Sequence, residues 1–106
     1  MKKKVLEKVV ERYLVERVQD IGGKAYKFSS PNNRAVPDRI CVFPYALFAF
    51  VECKSSDGKP TPLQNRVISY IRSLQHVVLV INSKEQVDLF IENTKVEIQR
   101  RKEMTK

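Results

Sequence analysis

The sequence has 106 residues, 42% of them hydrophobic and 30% charged, a balance that supports one domain with one core and excludes extended disorder outside the ends. Its longest apolar stretch, Leu47 to Val51, is far short of the roughly 20 residues of a membrane span, and Met1-Lys2-Lys3-Lys4 leads into an amphipathic segment, so neither an anchor nor a signal peptide is expected. Twenty Lys and Arg against twelve acids leave a net charge of +8, which points to a polyanionic partner such as DNA or RNA, although part of the excess lies in Lys2-Lys3-Lys4 and Arg100-Arg101-Lys102, for which solvated termini are the lesser alternative.

Between Val5 and Ile21 the apolar positions 6, 10, 14, 18 and 21, joined by 9 and 13, recur at helical spacing, and Gly22-Gly23 stands where a helix C-terminus favours glycine. Lys24 to Ser29 reads as a strand with one solvated face, followed by Ser30-Pro31-Asn32-Asn33-Arg34, a loop of turn formers placed to touch a substrate. Ile40 to Phe43 and Leu47 to Cys53 are apolar runs joined by Pro44-Tyr45-Ala46, which is short enough to fold them into an antiparallel hairpin. Thr61-Pro62-Leu63-Gln64 opens a second helix with a capping box and Pro at its first position, and Leu63, Val67, Ile68, Ile71 and Leu74 form one stripe along it. The unbroken run Val77 to Ile81 reads as a strand buried on both faces, with that helix as its crossover from the preceding strand and hence a parallel neighbour. Ser83-Lys84-Glu85-Gln86 caps a last helix through Val87, Phe90 and Ile91, expected to fray into a basic tail over about 98–106. The order is α-β-β-β-α-β-α in one domain over 1–106, an α/β fold whose mixed central sheet is flanked by helices.

Cys41 and Cys53 both sit in strand-like runs and read as buried thiols of a reduced, intracellular protein; one His and two separated Cys do not form a zinc ligand set. On the second hairpin strand Glu52 and Lys54 share a face, while Val51 and Cys53 point the other way into packing. Asp38, fourteen positions before Glu52, opens the first strand and returns to the same end of the hairpin. Two carboxylates and a lysine converging in so basic a chain suggest a divalent-metal site for cutting nucleic acid.

In this order Pro37-Asp38, Glu52-x-Lys54 and a Gln three residues into the next helix resemble the PD-(D/E)XK nuclease superfamily, with its restriction-endonuclease-like core. Gly22-Gly23, Lys27-Phe28-x-Ser30-Pro31, Val36-Pro37-Asp38-Arg39, Phe50-Val51-Glu52-x-Lys54 and Thr61-Pro62-Leu63-Gln64 resemble, within it, the stand-alone phage form of the VRR-NUC (virus-type replication-repair nuclease) domain. One departure is Phe43-Pro44-Tyr45-Ala46, where the family usually turns through glycines.

The resemblance implies a structure-specific DNA endonuclease that depends on Mg²⁺ or Mn²⁺, cuts branched DNA such as four-way junctions, and serves replication or repair in the cytoplasm of a bacterial or phage-infected host. It implies a metal held by Asp38, Glu52 and the Cys53 backbone carbonyl, and Lys54 either as the base that activates water or as the group that neutralises charge. It adds Gln64, whose capping role competes with a role at the site, and Glu11 of the first helix, with Glu7 its competitor, for a second metal or a metal-bound water. Lys24, Lys27, Ser30, Asn32, Asn33, Arg34, Arg39 and Lys59 are the expected DNA contacts. A silent nucleic-acid-binding module and a subunit of a larger repair or packaging assembly are the alternatives. A homodimer is expected because three helices cannot cover both faces of the sheet, and because Tyr45, Leu47 and Phe48 are apolar in or beside a tight turn.

Overall fold

In the computed structural model, which describes residues 3–105, α1 (Glu7–Asp20) buries Val10, Leu14 and Val18 as its spacing requires. Met1, Lys2 and Lys106, and with them parts of the terminal basic runs, lie outside the described residues. The helix stops at Gly22, which takes a φ of +86°, and its N–H donates to Gln19 O while that of Gly23 donates to Val18 O. Gly23 is also a matter of space: a Cβ there would stand 2.6 Å from the Val42 carbonyl oxygen.

The chain then enters a four-stranded sheet in the order β1 (Lys24–Lys27), β2 (Arg39–Val42), β3 (Phe48–Cys53), β4 (Val78–Ile81). β1–β2 and β2–β3 are antiparallel, and β3–β4 is parallel, with Glu52 opposite Val80. The parallel pair follows from the crossover through α2 (Pro62–Ser73), whose capping box forms in full: the Thr61 side chain accepts from Gln64 N, and Gln64 Oε1 accepts from Thr61 N. Ala25, Cys41, Ala49, Val51, Cys53 and Ile81 point from the sheet into one core with α1 and α3 (Lys84–Met104). Both cysteines are free and buried.

Two expectations change and two are refined. The last helix does not fray near residue 98 but runs to Met104, because Glu97 pairs with both Arg100 and Arg101 one turn on, and Arg101 also donates to the Tyr45 carbonyl. β4 has a buried residue on each face, Val78 and Ile81, with Leu79 and Val80 half-buried, but it is the sheet edge, and its outward Val78 carbonyl is capped by the Arg72 guanidinium. The α2 stripe splits: Ile68 is buried against the sheet, whereas Leu63 and Leu74 face solvent. At the hairpin turn Tyr45 and Phe48 are exposed as expected, whereas Leu47 packs against the core and Arg101 ties the turn's backbone to α3. In place of glycines, Tyr45 and Ala46 both take left-handed backbone, with φ of 63° and 61°.

Candidate active site

The C-terminal end of β3 brings the candidate site residues together. Glu52 and Lys54 lie on the face opposite α1 and α3, as strand alternation dictates, and the Glu52 side chain is only 2% exposed. Its Oε2 accepts from Lys54 Nζ at 3.1 Å and from Gln64 Nε2 at 3.1 Å. Gln64 therefore fills both roles open to it, since its carbonyl caps α2 while its amide grips the carboxylate. Oε1 of Glu52 is buried and has no hydrogen-bond partner among the described residues. An orphaned carboxylate oxygen of this kind is costly unless something positive completes it.

Asp38 stands one residue before β2, where Pro37 is buried and holds the chain extended into the strand. Its Oδ2 accepts from the Cys53 N–H at 3.0 Å, continuing the β2–β3 pairing through a side chain. A strand residue directs its N–H and C=O to the same edge, so the Cys53 carbonyl lies on the Asp38 side of β3. Burial raises Asp38 above its ordinary carboxylate value; the Cys53 N–H offsets this in part, and the negative charge of Glu11 adds to it. Burial likewise raises Glu52, against the opposing hydrogen bond from Lys54, and Asp38 pushes it further. Two carboxylates whose ionised forms are both penalised form a pair that a divalent cation would relieve.

The residues fit such an ion. Among the described residues no three or more His, Cys, Asp or Glu side chains gather to hold a metal. A hard, octahedral cation needs no such cluster, because one or two carboxylates, a backbone carbonyl, water and phosphate oxygens make up its shell.

Glu11 is half-buried on α1 and within electrostatic reach of Asp38, whereas Glu7 is exposed. Its Oε1 accepts from Nε and Nη2 of Arg39, both at 2.8 Å, and Nη1 of Arg39 donates to the Ala25 carbonyl. Arg39, expected to meet DNA, instead faces inward with its side chain only 14% exposed. The signal for this in the sequence is strand alternation: Arg39 shares a strand face with Cys41, the face turned toward α1. Lys24, Lys27, Asn32, Asn33, Arg34 and Lys59 are exposed, Ser30 is half-buried, and Lys24 Nζ lies 4.9 Å from the centre of the Tyr26 ring.

An apolar groove of about 430 Å³ runs between β4 and α3, but none of Asp38, Glu52, Lys54 or Gln64 lines it. The chemistry lies instead on the other face, where a mixed sheet sets an acidic pair and a lysine at the end of a hairpin, the arrangement of a restriction-endonuclease-like domain. No family model matches the sequence. Over 81 residues it is 44% identical to "Putative nuclease p44" of Acyrthosiphon pisum secondary endosymbiont phage 1, covering 76% of this chain and 87% of that protein. The fold matches a solved structure described as a VRR_NUC domain with a TM-score of 0.78 at 34% identity, over 83% of this chain and 96% of that one. The chain belongs to the VRR-NUC nuclease family.

Proposed function

We propose that this chain is a Mg²⁺- or Mn²⁺-dependent endonuclease that hydrolyses phosphodiester bonds in branched DNA, with Asp38, Glu52, Lys54 and Gln64 as its working residues. The observation that carries the reading is the Glu52 carboxylate, buried with one oxygen unpartnered beside Asp38 and Lys54. Asp38 Oδ1, Glu52 Oε1 and the Cys53 carbonyl would hold the cation. Once bound, the ion supplies Lewis acidity at the phosphate and lowers the pKa of water.

The protein's part is positioning. Gln64 and Lys54 both bond Glu52 Oε2, which fixes the carboxylate plane and leaves the other oxygen to the cation. Lys54 Nζ, held at 3.1 Å from that carboxylate, lies where it orients an attacking water or neutralises charge growing on the phosphoryl oxygens. Lys24, Lys27, Arg34 and Lys59 supply sequence-independent phosphate contacts, with Ser30, Asn32 and Asn33 as polar neighbours in the loop.

The homodimer belongs to the same reading, and the exposed Tyr45 and Phe48 at the turn are joined by a wider apolar surface. α2 covers only part of the sheet face it crosses, leaving Tyr26, Val42 and Phe48 exposed, and its own outward side carries Leu63, Tyr70 and Leu74 at 56%, 65% and 53% exposure. These three recur at seven and four residues, the spacing of an apolar seam for a second helix. A second copy docked there would bury both sets, and a two-fold axis would pair two sites on opposite strands of a junction.

The test is cleavage of matched duplex, flap and four-way junction substrates by the purified chain, together with its sedimentation. Preferential cutting of the branched forms by a dimer is expected, and Leu74→Glu should give monomers that no longer make paired cuts. Equal cutting of plain duplex would remove the structure specificity, and an active monomer would remove the dimer.

A further inference from the structure

We infer that Arg39 is a built-in cation that takes the place of a second metal ion, so that Glu11 is a positioning residue and each site holds one divalent ion. The inference rests on the proposed metal-dependent reading and deepens it. Glu11 is bonded to Arg39, the chain neighbour of Asp38, so a second ion shared by the two acids would have to sit against that guanidinium. The positive charge beside them is already present. The Arg39 fork places Nε and Nη2 at 2.8 Å from Glu11 Oε1.

Three features keep that guanidinium in place. Its third arm is tied at 3.1 Å to the Ala25 carbonyl of β1; its side chain is 14% exposed; and it sits next to Asp38 in the chain, where β2 pairing fixes the backbone. α1 is pinned beside the end of β3 by a reciprocal pair of bonds, Val5 N to Ser56 Oγ and Ser56 N to Val5 O, so Glu11 cannot drift from the fork without moving the helix. A divalent ion on Glu11 would stand within a few ångströms of a fixed positive charge and compete with two charge-assisted hydrogen bonds. The pair instead braces α1 against the strand that presents Asp38, which makes Arg39 a positioning residue acting through both acids.

Mn²⁺ binding to the purified chain, followed by calorimetry and by the spin-resonance signal of free Mn²⁺, tests this without reference to cutting. One Mn²⁺ per chain is expected, lost in Asp38→Asn and retained in Glu11→Gln with its Kd changed less than tenfold, since an amide oxygen still accepts from Arg39. Arg39→Gln should gain a second, weaker Mn²⁺ that disappears in the Arg39→Gln/Glu11→Gln double variant, a gain that a merely structural arginine would not produce. Two Mn²⁺ per parent chain, a tenfold or greater loss of affinity in Glu11→Gln, or no gain in a folded Arg39→Gln would overturn the inference and leave the metal-dependent reading standing. No binding by the parent chain would overturn both.

Discussion

Replacing Glu52 with Gln separates the two things this carboxylate does. The side chain is 2% exposed, two of its hydrogen bonds converge on one oxygen, and the other oxygen has none. Gln keeps the volume and one acceptor, and it removes a charge that burial already disfavours, so the metal-free fold should change by no more than about 1 kcal/mol. Glu52→Ala is the contrast: it opens a cavity and strands Lys54 and Gln64, and it should cost about 3 kcal/mol.

Metal reverses the ranking. At a hundred times its Kd, an ion bound only by the folded state adds about 2.7 kcal/mol, which for a domain near this size raises Tm by on the order of 10 °C. Parent protein should show that rise with Mn²⁺, and Glu52→Gln should show none. The pH dependence has a definite sign. A carboxylate raised in the folded state contributes stability that is complete below its ordinary value and is lost as pH climbs through that value toward the raised one, so metal-free parent should weaken upward from about 4.5, the ordinary glutamate value. Glu52→Gln should lack that part of the slope. An equal Mn²⁺ shift in parent and Glu52→Gln, measured by thermal denaturation, would refute the assignment of Glu52 as a ligand.

Lys54→Ala should lower single-turnover cleavage by orders of magnitude while leaving the Mn²⁺ affinity in place; loss of that affinity instead would make Lys54 a structural partner of the acids. Binding to a non-cleaved junction in Ca²⁺ should fall linearly with the logarithm of salt concentration, and each of Lys27→Ala, Arg34→Ala and Lys59→Ala should reduce the slope by about 1; a slope near zero would remove phosphate contact as the basis of binding. Ala46→Gly should stabilise the fold by about 0.5–1 kcal/mol in urea titration, because relief of a left-handed alanine outweighs the extra unfolded-state freedom of glycine, and a destabilised variant would contradict the turn geometry. Cys41, its thiol pushed up to about 12 by burial, and Cys53, raised by burial and then by Asp38, should resist iodoacetamide at pH 8 until urea unfolds the chain.

Local chemistry made much of this legible from sequence. Thr61-Pro62-Leu63-Gln64 is a cap whichever fold surrounds it, and Glu52-x-Lys54 shares a face in any strand, so both survive unchanged in the structure. Long-range partners were not legible. Arg39 reaches Glu11 across 28 positions, a pairing that only the docking of α1 against the sheet creates, and a basic residue beside Asp38 reads naturally as a phosphate contact. The edge position of β4 was hidden because an unbroken apolar run looks the same beside one neighbour as between two. The tail misled for the opposite reason: Arg100-Arg101-Lys102 reads as solvated charge until Glu97 and the Tyr45 carbonyl give two of its arginines partners.

The account centres on Asp38 and Glu52 acting through a divalent ion, and cleavage of a labelled four-way junction by parent and Asp38→Asn protein, in Mg²⁺ and then in EDTA, tests it most directly. Parent should cut in Mg²⁺, stop in EDTA and resume when Mg²⁺ is restored, while Asp38→Asn binds the junction at least as tightly and leaves it intact. Cutting by Asp38→Asn at the parent rate, or cutting by the parent that persists in EDTA, would contradict the account.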